Sequence, residues 1–426
     1  MGRSRFFDSP VNRQLATENQ LTPRINVRYW HFINNEPIAA RLLFIQFIAF
    51  FGAWFTNVAI YTLLLQLGAS PFLLSLAAAL HLIPAIIQAP FSGPLIDKLN
   101  PKGLMTVLLT IQIVTTLLML MVDSLDMVWF LFLLLFIRMG ASSFYFTVKM
   151  ALLPKLLQGK GLQTANELQS MCWSFTYTAG MALSGIVVYL WGTDIAFILD
   201  AALFLIAISL FLMIPLPKNK RISKDSIWTM IREGVLYLKG HPQAVHIMIL
   251  HASVGLTAYE SLIAILADIA YREVLAIPLA IGFLNAVRAL ALMLGPALLG
   301  KWMNDKRLLY LLIFQGFAII FWGFILENFY ISLIGSFAAG FVSSIIWSYT
   351  YTMLQKQVEE QFYGRVIAYN DMLFMASGAT VSLLIGQLIE HGWQAQTILI
   401  MLGSGFLLYT VYYYWVYKTI LTKEKR

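Results

Sequence analysis

The chain has 426 residues, 59% of them hydrophobic and only 12% charged, with a mean hydropathy of +0.75. A soluble domain carries roughly 25% charged residues, so this composition excludes a water-soluble globular protein. The net charge of +8 would suit a nucleic-acid partner only on a soluble surface, and its distribution points elsewhere.

The charge-poor windows are each about 20 residues or more, long enough to cross a hydrocarbon core. Backbone in lipid must satisfy its own hydrogen bonds, so these windows are expected to be helices. In chain order they run over about 41–67, 71–96, 103–122, 127–149, 165–190, 194–215, 243–269, 276–302, 308–326, 329–355, 365–390 and 393–418. The expected fold is therefore an all-α integral membrane protein with twelve transmembrane helices in two pseudo-symmetric six-helix bundles. Residues 1–40 form a polar tail without the apolar core of a signal peptide, and no cleaved signal is expected. The first bundle covers 41–217 and the second 243–419, and 420–426 form a short tail. Between the bundles lies a polar linker, 218–242, with an amphipathic helix expected from Ser226 to Lys239. Its apolar face holds Ile227, Ile231, Val235 and Leu238, and such a helix lies along a membrane surface.

The chain contains 29 Lys and Arg. With the N-terminus inside, one lies in an outer connection (Arg272) and two lie inside spans (Arg138 and Arg288), so the inner connections and tails hold the other 26. That asymmetry predicts both termini on the cytoplasmic side of a cell (inner) membrane. The basic excess then reports topology, and no nucleic-acid partner is expected. The single Cys172 has no internal disulfide partner.

Gly93-Pro94-Leu95-Ile96-Asp97-Lys98, with Lys102 just beyond, joins the second and third spans through a tight polar hinge. Gly93-Pro94 is echoed by Gly295-Pro296, 202 residues later. Asn166-Glu167 is echoed by Asn370-Asp371, 204 residues later. Two nearly equal offsets indicate an internal duplication. The second copy has Leu299 or Gly300 where the first has Asp97.

The Gly-x-x-x-Asp-Lys hinge at this place resembles the cytoplasmic loop signature of the major facilitator superfamily. Further stretches resemble its bacterial efflux branch, which includes macrolide and enterobactin exporters. These are ASPFLLSLAAALHLIPAIIQAPFSGPLIDK around span two, TANELQSM in span five, AFILDAALFL in span six, and YTMLQKQV with YGRVIAYNDM around the start of span eleven. The likeness covers residues about 41–418. It departs in span five, where Ala179 to Gly185 lacks the usual Pro, and in span four, where Arg138 stands only two residues before Gly140. The resemblance implies two halves related by an axis along the membrane normal, rocking about a midplane site.

Charges inside a membrane are costly and mark function by default. Arg138, Glu260 and Arg288 all fall roughly 15–18 Å from the outer surface at 1.5 Å per residue, near the midplane. Spans four, seven and eight line the cavity in the resembled family. Glu260 is then the expected proton carrier, paired with an Arg; the alternative is a pair that only docks two helices. The Arg residues favour an anionic or strongly dipolar substrate. The resemblance adds Asn57, Trp54, Trp173, Tyr177, Trp347, Tyr349 and Tyr351 as cavity-lining side chains, although each one singly could be packing alone. It assigns Gly93, Asp97, Lys98, Lys149 and Arg365 to a gate, with Asp97 meeting the start of span eleven or Lys149 when the inner side closes. Asp200 reads as a structural hydrogen-bonding group, Asp268 as solvated, and Glu167 as a helix cap spaced three from Thr164. His81, His246 and His251 lack metal-ligand spacing and read as local hydrogen-bonding groups. No metal, nucleotide or haem motif is present, and no cofactor is expected.

The expected function is a proton-coupled exporter of an amphipathic or anionic small molecule, drug- or siderophore-like, acting as a monomer among membrane lipids. A lysophospholipid flippase on the same fold and a transport-inactive sensor are the alternatives. A membrane enzyme is not expected, because no nucleophile–base set occurs. The topology is checked by a cysteine placed at Lys224 in a Cys172-free background. A membrane-impermeant thiol reagent applied from outside intact cells should leave it unlabelled, and labelling would reverse the assignment of sides.

Overall fold

The computed structural model describes residues 25–216 and 227–421. Among these the chain is helical, without strands. Proline and asparagine or serine set many helix starts. Pro37, Pro71, Pro101 and Pro242 each occupy the first helical turn, where a missing N–H costs nothing. Asn100, Asn304 and Asn328 accept hydrogen bonds from the backbone N–H groups of Lys102, Arg307 and Ile331, and Ser70 accepts from Leu73.

Eleven described helical segments are long and apolar enough to span a membrane. One of them, Gly159–Leu212, has 54 residues, about 80 Å at helical rise against a core of about 30 Å. It is two spans. Gly192 has φ 85°, outside the helical region, and turns the chain there. Ser184, eight residues before it, donates to the Phe55 carbonyl at 3.3 Å, and Asp200, eight residues after it, accepts from the Thr56 hydroxyl. Both arms therefore lie against the same turn of span one, and the spans number twelve. Span one is Pro37–Gln66, three is Pro101–Met119 and four is Val128–Leu156. Spans eight to twelve are Ile277–Leu299, Asp305–Ile325, Phe329–Gln357, Tyr363–Glu390 and Ala395–Val416.

Two spans are broken. Span two consists of helices Pro71–Leu80 and Ile83–Lys98, and span seven of Pro242–Ala252 and Glu260–Ile269. Two further helices lie outside the spans. Ile25–Asn35 falls within the region read as a polar tail, and Ile227–Gly240 is the linker helix. Glu167 corrects a sequence reading. Its helix starts eight residues earlier, at Gly159, so Glu167 is no cap and instead accepts from Gln163 Nε2 at 3.0 Å.

The halves meet closely at the end of the bundle remote from the linker. A Cβ on Gly282 of span eight would lie 2.7 Å from the Met181 carbonyl oxygen of span five, and one on Gly185 would lie 2.6 Å from the Pro278 carbonyl oxygen. Only glycine allows backbones this near. Span eleven closes on span two at the same end. Glu390 accepts from the Phe72 N–H at 3.2 Å and from the Ser70 hydroxyl at 3.3 Å, a carboxylate on a helix N-terminus. Within the second half, Gly403 of span twelve lies against the Gly316 carbonyl of span nine in the same backbone-to-backbone manner. Large apolar side chains such as Leu133, Phe321, Leu408 and Val411 remain exposed on the outside of the bundle, as a lipid-facing surface requires.

Candidate functional site

Span seven comes apart at Ser253 to Thr257, where Ser, Gly and Thr alternate with Val and Leu in a 3-10 stretch between two α-helices. Gly255 sits under span eleven, where a Cβ would lie 2.5 Å from the Ser377 hydroxyl and 2.7 Å from the Gly378 nitrogen. A break frees carbonyls from the helical ladder. The Thr257 carbonyl oxygen accepts from Arg288 Nη2 of span eight at 2.7 Å. The helix resumes at Glu260, so this carboxylate opens a half-helix whose dipole favours negative charge. Arg288 Nη1 lies 3.6 Å from Glu260 Oε1, and the guanidinium also faces the Tyr259 ring at 5.3 Å. The Arg288 side chain is 9% exposed and that of Glu260 31%.

The same guanidinium reaches the other half. Its Nη1 donates to the Tyr177 hydroxyl of span five at 3.5 Å. Tyr177 stacks on Trp54 of span one, with ring centres 4.2 Å apart, and packs against Trp173 at 5.2 Å. Trp54 lies against Gly180, where a Cβ would come within 2.7 Å of the indole. Glu260, Arg288, Tyr177, Trp54 and Trp173 thus form one set at the boundary between the halves. Asn57 stands close by on span one. His81 Nδ1 donates to the Ala77 carbonyl at 2.8 Å, so its Nε2 is the acceptor for Asn57 Nδ2 at 3.4 Å. Tyr61 stacks on His81, and both lie within electrostatic reach of Glu260. Sequence reading had no signal for Tyr61 and took His81 as purely local.

Trp347 and Tyr351 belong to a second cluster, on the linker side of the break in span seven. They stack on each other at 5.1 Å and surround His251. Tyr349 points to span nine instead, donating to Asp305 Oδ1 at 2.6 Å.

Arg138, expected from the sequence at the depth of Glu260, keeps different company. It pairs with Asp200 at 2.5 Å, donates to the Thr116 hydroxyl at 2.9 Å and lies over Phe204. Arg138 is 3% exposed and Asp200 0%. This pair holds spans one, three, four and six together inside the first half. Asp268 forms an ion pair with Arg272, four residues on in the turn past the helix end, at 3.2 Å.

The gate residues are dispersed among the described contacts. Gly93, Asp97 and Lys98 fall in the helix Ile83–Lys98, and their side chains lie outside the described residues. Lys149 is buried and donates to Gln46 Oε1. Arg365, expected to face Asp97, pairs with Glu233 of the linker helix at 2.8 Å. Tyr237 of that helix stacks on Phe362 at 4.2 Å, and Trp228 meets Phe91 of span two edge-on. The linker helix thus touches both halves.

The family model of the Major Facilitator Superfamily matches residues 42–306. The chain belongs to the major facilitator superfamily. It is a multi-pass membrane protein of a transporter family. An uncharacterized MFS-type transporter, YfiS of Bacillus subtilis (strain 168), is 28% identical over 214 residues, 49% of this chain and 51% of that protein. The match thus spans about half the length of this curated relative. Among solved structures, the nucleoside transporter NupG aligns with a TM-score of 0.73 at 13% identity, over 89% of this chain and 99% of the other. The POT family transporter PepTSo aligns with a TM-score of 0.69 at 11% identity, over 90% and 98%. At these identities the likeness concerns the fold. Among the described residues, two ion pairs with a buried Arg differ in character, one sealed within a half and one at the boundary between halves.

The sealed pair should be structural. Removing one partner of a buried ion pair costs about 3–5 kcal/mol, whereas an apolar replacement of both is often tolerated. Arg138→Met or Asp200→Leu alone should markedly lower the thermal unfolding temperature of the purified protein, and the double variant should recover most of the loss. Equal losses in the single and double variants would show that the pair has no such role.

Proposed function

We propose that this chain is a proton-coupled exporter of an amphipathic small molecule, drug- or siderophore-like, working by alternating access. The observation that carries the reading is the Arg288–Glu260 pair, set at the break of span seven and touching Tyr177 of the opposite half. Protonation of Glu260 dissolves that ion pair. Arg288 is then held by the Thr257 carbonyl, the Tyr177 hydroxyl and the face of the Tyr259 ring. A change of one proton therefore alters a contact that bridges the halves, which is what coupling requires.

The aromatic surface of Trp54, Tyr177 and Trp173 suits the apolar body of such a substrate. Both embedded Arg residues already hold a carboxylate, so the site is charge-balanced and gives no preference to an anion. The export direction rests on the resemblance to the efflux branch. Cytoplasmic termini in an inner membrane rest on the charge asymmetry of the connections. Asp97, with Gly93 and Lys98, would close the linker side by docking near Lys149 or Arg365. Arg365 would exchange Glu233 for Asp97 as it does so. A monomer suffices, since each six-span half finds its partner within the chain.

Glu260→Gln should abolish substrate movement driven by a pH gradient in inverted vesicles. Passive substrate exchange should continue. The assay would screen siderophores, macrolides and lysolipids as cargo. Concentrative transport by the Gln variant at the normal rate would make Glu260 a structural partner of Arg288.

A further inference from the structure

His251 ends the first helix of span seven and is fully buried, yet its Nε2 has no partner. Its tautomer follows from the neighbours. The Thr350 hydroxyl has one proton, which goes to the Ile346 carbonyl at 2.7 Å or the Trp347 carbonyl at 3.1 Å. Towards His251 it can only accept, so Nδ1 carries the proton and donates to Thr350 at 2.8 Å. Nε2 is therefore a bare lone pair. Around the ring stand Trp347 and Tyr351, both at 5.7 Å, and Phe374 at 5.6 Å. A buried polar atom left unpaired is costly and calls for a partner.

Span eleven adds more of the same polarity. Asn370 and Asp371 precede Phe374 by four and three residues, so all three share a helix face. Asn370 is buried with its Oδ1 unpaired. Asp371 lies within electrostatic reach of Tyr351 and, among the described residues, receives only a 3.5 Å contact from Asn370 Nδ2. No Lys, Arg or His among the described residues forms an ion pair with it. The two buried atoms left unpaired here, His251 Nε2 and Asn370 Oδ1, are both acceptors, and the surrounding surface is aromatic. Trp347 is 40% exposed, which leaves the cluster an open side.

We infer that spans seven, ten and eleven form a subsite for the cationic, N–H-bearing end of an aromatic substrate. The N–H donates to His251 Nε2 once the Trp347 and Tyr351 rings that cover this buried atom part to admit it. The positive charge is balanced by Asp371, and the ring system lies on Trp347 and Tyr351, where aromatic faces attract cations. An anion would meet two acceptors, His251 Nε2 and Asn370 Oδ1, and the Asp371 carboxylate, and is rejected. The inference deepens the exporter reading and rests on the boundary between the halves being the substrate path. It reverses the anionic preference that the embedded Arg residues suggest from sequence.

The test is equilibrium binding to the full-length protein in lipid nanodiscs. The probes are ethidium, a planar aromatic cation with N–H donors, tetraphenylphosphonium, a cation without one, and 8-anilinonaphthalene-1-sulfonate, an aromatic anion. Wild type should bind ethidium more tightly than the anion. His251→Phe should lose about tenfold for ethidium, the scale of one hydrogen bond to a charged group, with little change for tetraphenylphosphonium. Asp371→Asn should weaken both cations. Trp347→Leu, at a partly exposed position, should also weaken both and serves if His251→Phe does not fold. Tighter binding of the anion by wild type, no ethidium binding by wild type, or wild-type ethidium affinity in a folded His251→Phe or Trp347→Leu variant would overturn the subsite. All of these binding measurements keep Glu260 in place. A failure of proton coupling at Glu260 is thereby read in transport, and a failure of the subsite in binding.

Discussion

A charge held at the depth of the hydrocarbon core must find its counter-charge within the protein, and this chain meets that demand twice in different ways. Arg138 and Asp200 are sealed among four spans of one half, with Thr56 and Thr116 taking part in the network. Arg138 and Asp200 are buried, and among the described residues the contacts of the pair lie within that half. Arg288 and Glu260 are held more loosely, at 3.6 Å, with Glu260 partly open. Arg288 there divides its donors among a carboxylate, a freed carbonyl and a tyrosine of the opposite half. A pair shared in this way can be rearranged by a proton or a ligand, whereas the sealed pair cannot be opened without destabilising its half.

The break in span seven makes the second arrangement possible. An unbroken helix would keep the Thr257 carbonyl in its own ladder and leave Glu260 mid-helix. Ser253, Gly255 and Thr257 weaken the helix locally, and the close approach of Ser377 and Gly378 requires glycine at 255. Span two is also interrupted, at His81 and Leu82, which brings His81 against Asn57 and Tyr61. Polar backbone at membrane depth is tolerated where it is buried in protein, and both breaks lie on the inner side of the bundle. The closed contacts at Gly185–Gly282 and Phe72–Glu390 put the structure in a state shut at the end remote from the linker.

Composition and hydropathy made the twelve helices legible, because a span must be apolar over its whole length. The turn at Gly192 was legible too, as a gap between two windows. Depth along each helix could be counted, so Arg138, Glu260 and Arg288 were placed on one level. Azimuth could not be counted. Which way Arg138 points depends on the neighbours of span four, and they put it on Asp200, itself read from sequence as structural. His251 was read as a local hydrogen-bonding group, yet one nitrogen bonds Thr350 of span ten, 99 residues away. Its other nitrogen depends on three aromatic rings from spans ten and eleven, contacts that no spacing encodes. Arg365 shows the same limit. Its partner, Glu233, lies in a linker helix whose docking side follows from Tyr237 and Gly234 packing on Phe362 and Tyr369.

The central claim is that protonation at the boundary pair moves the two halves. Pulsed electron paramagnetic resonance tests it most directly, with spin labels on cysteines at Ala69 and His391 across the closed end, in a Cys172-free protein in nanodiscs. The distance distribution should shift between mildly acidic and alkaline buffer in the otherwise wild-type chain. In Glu260→Gln it should stay the same at both. A Gln variant that shifts with pH as the parent does would contradict the account.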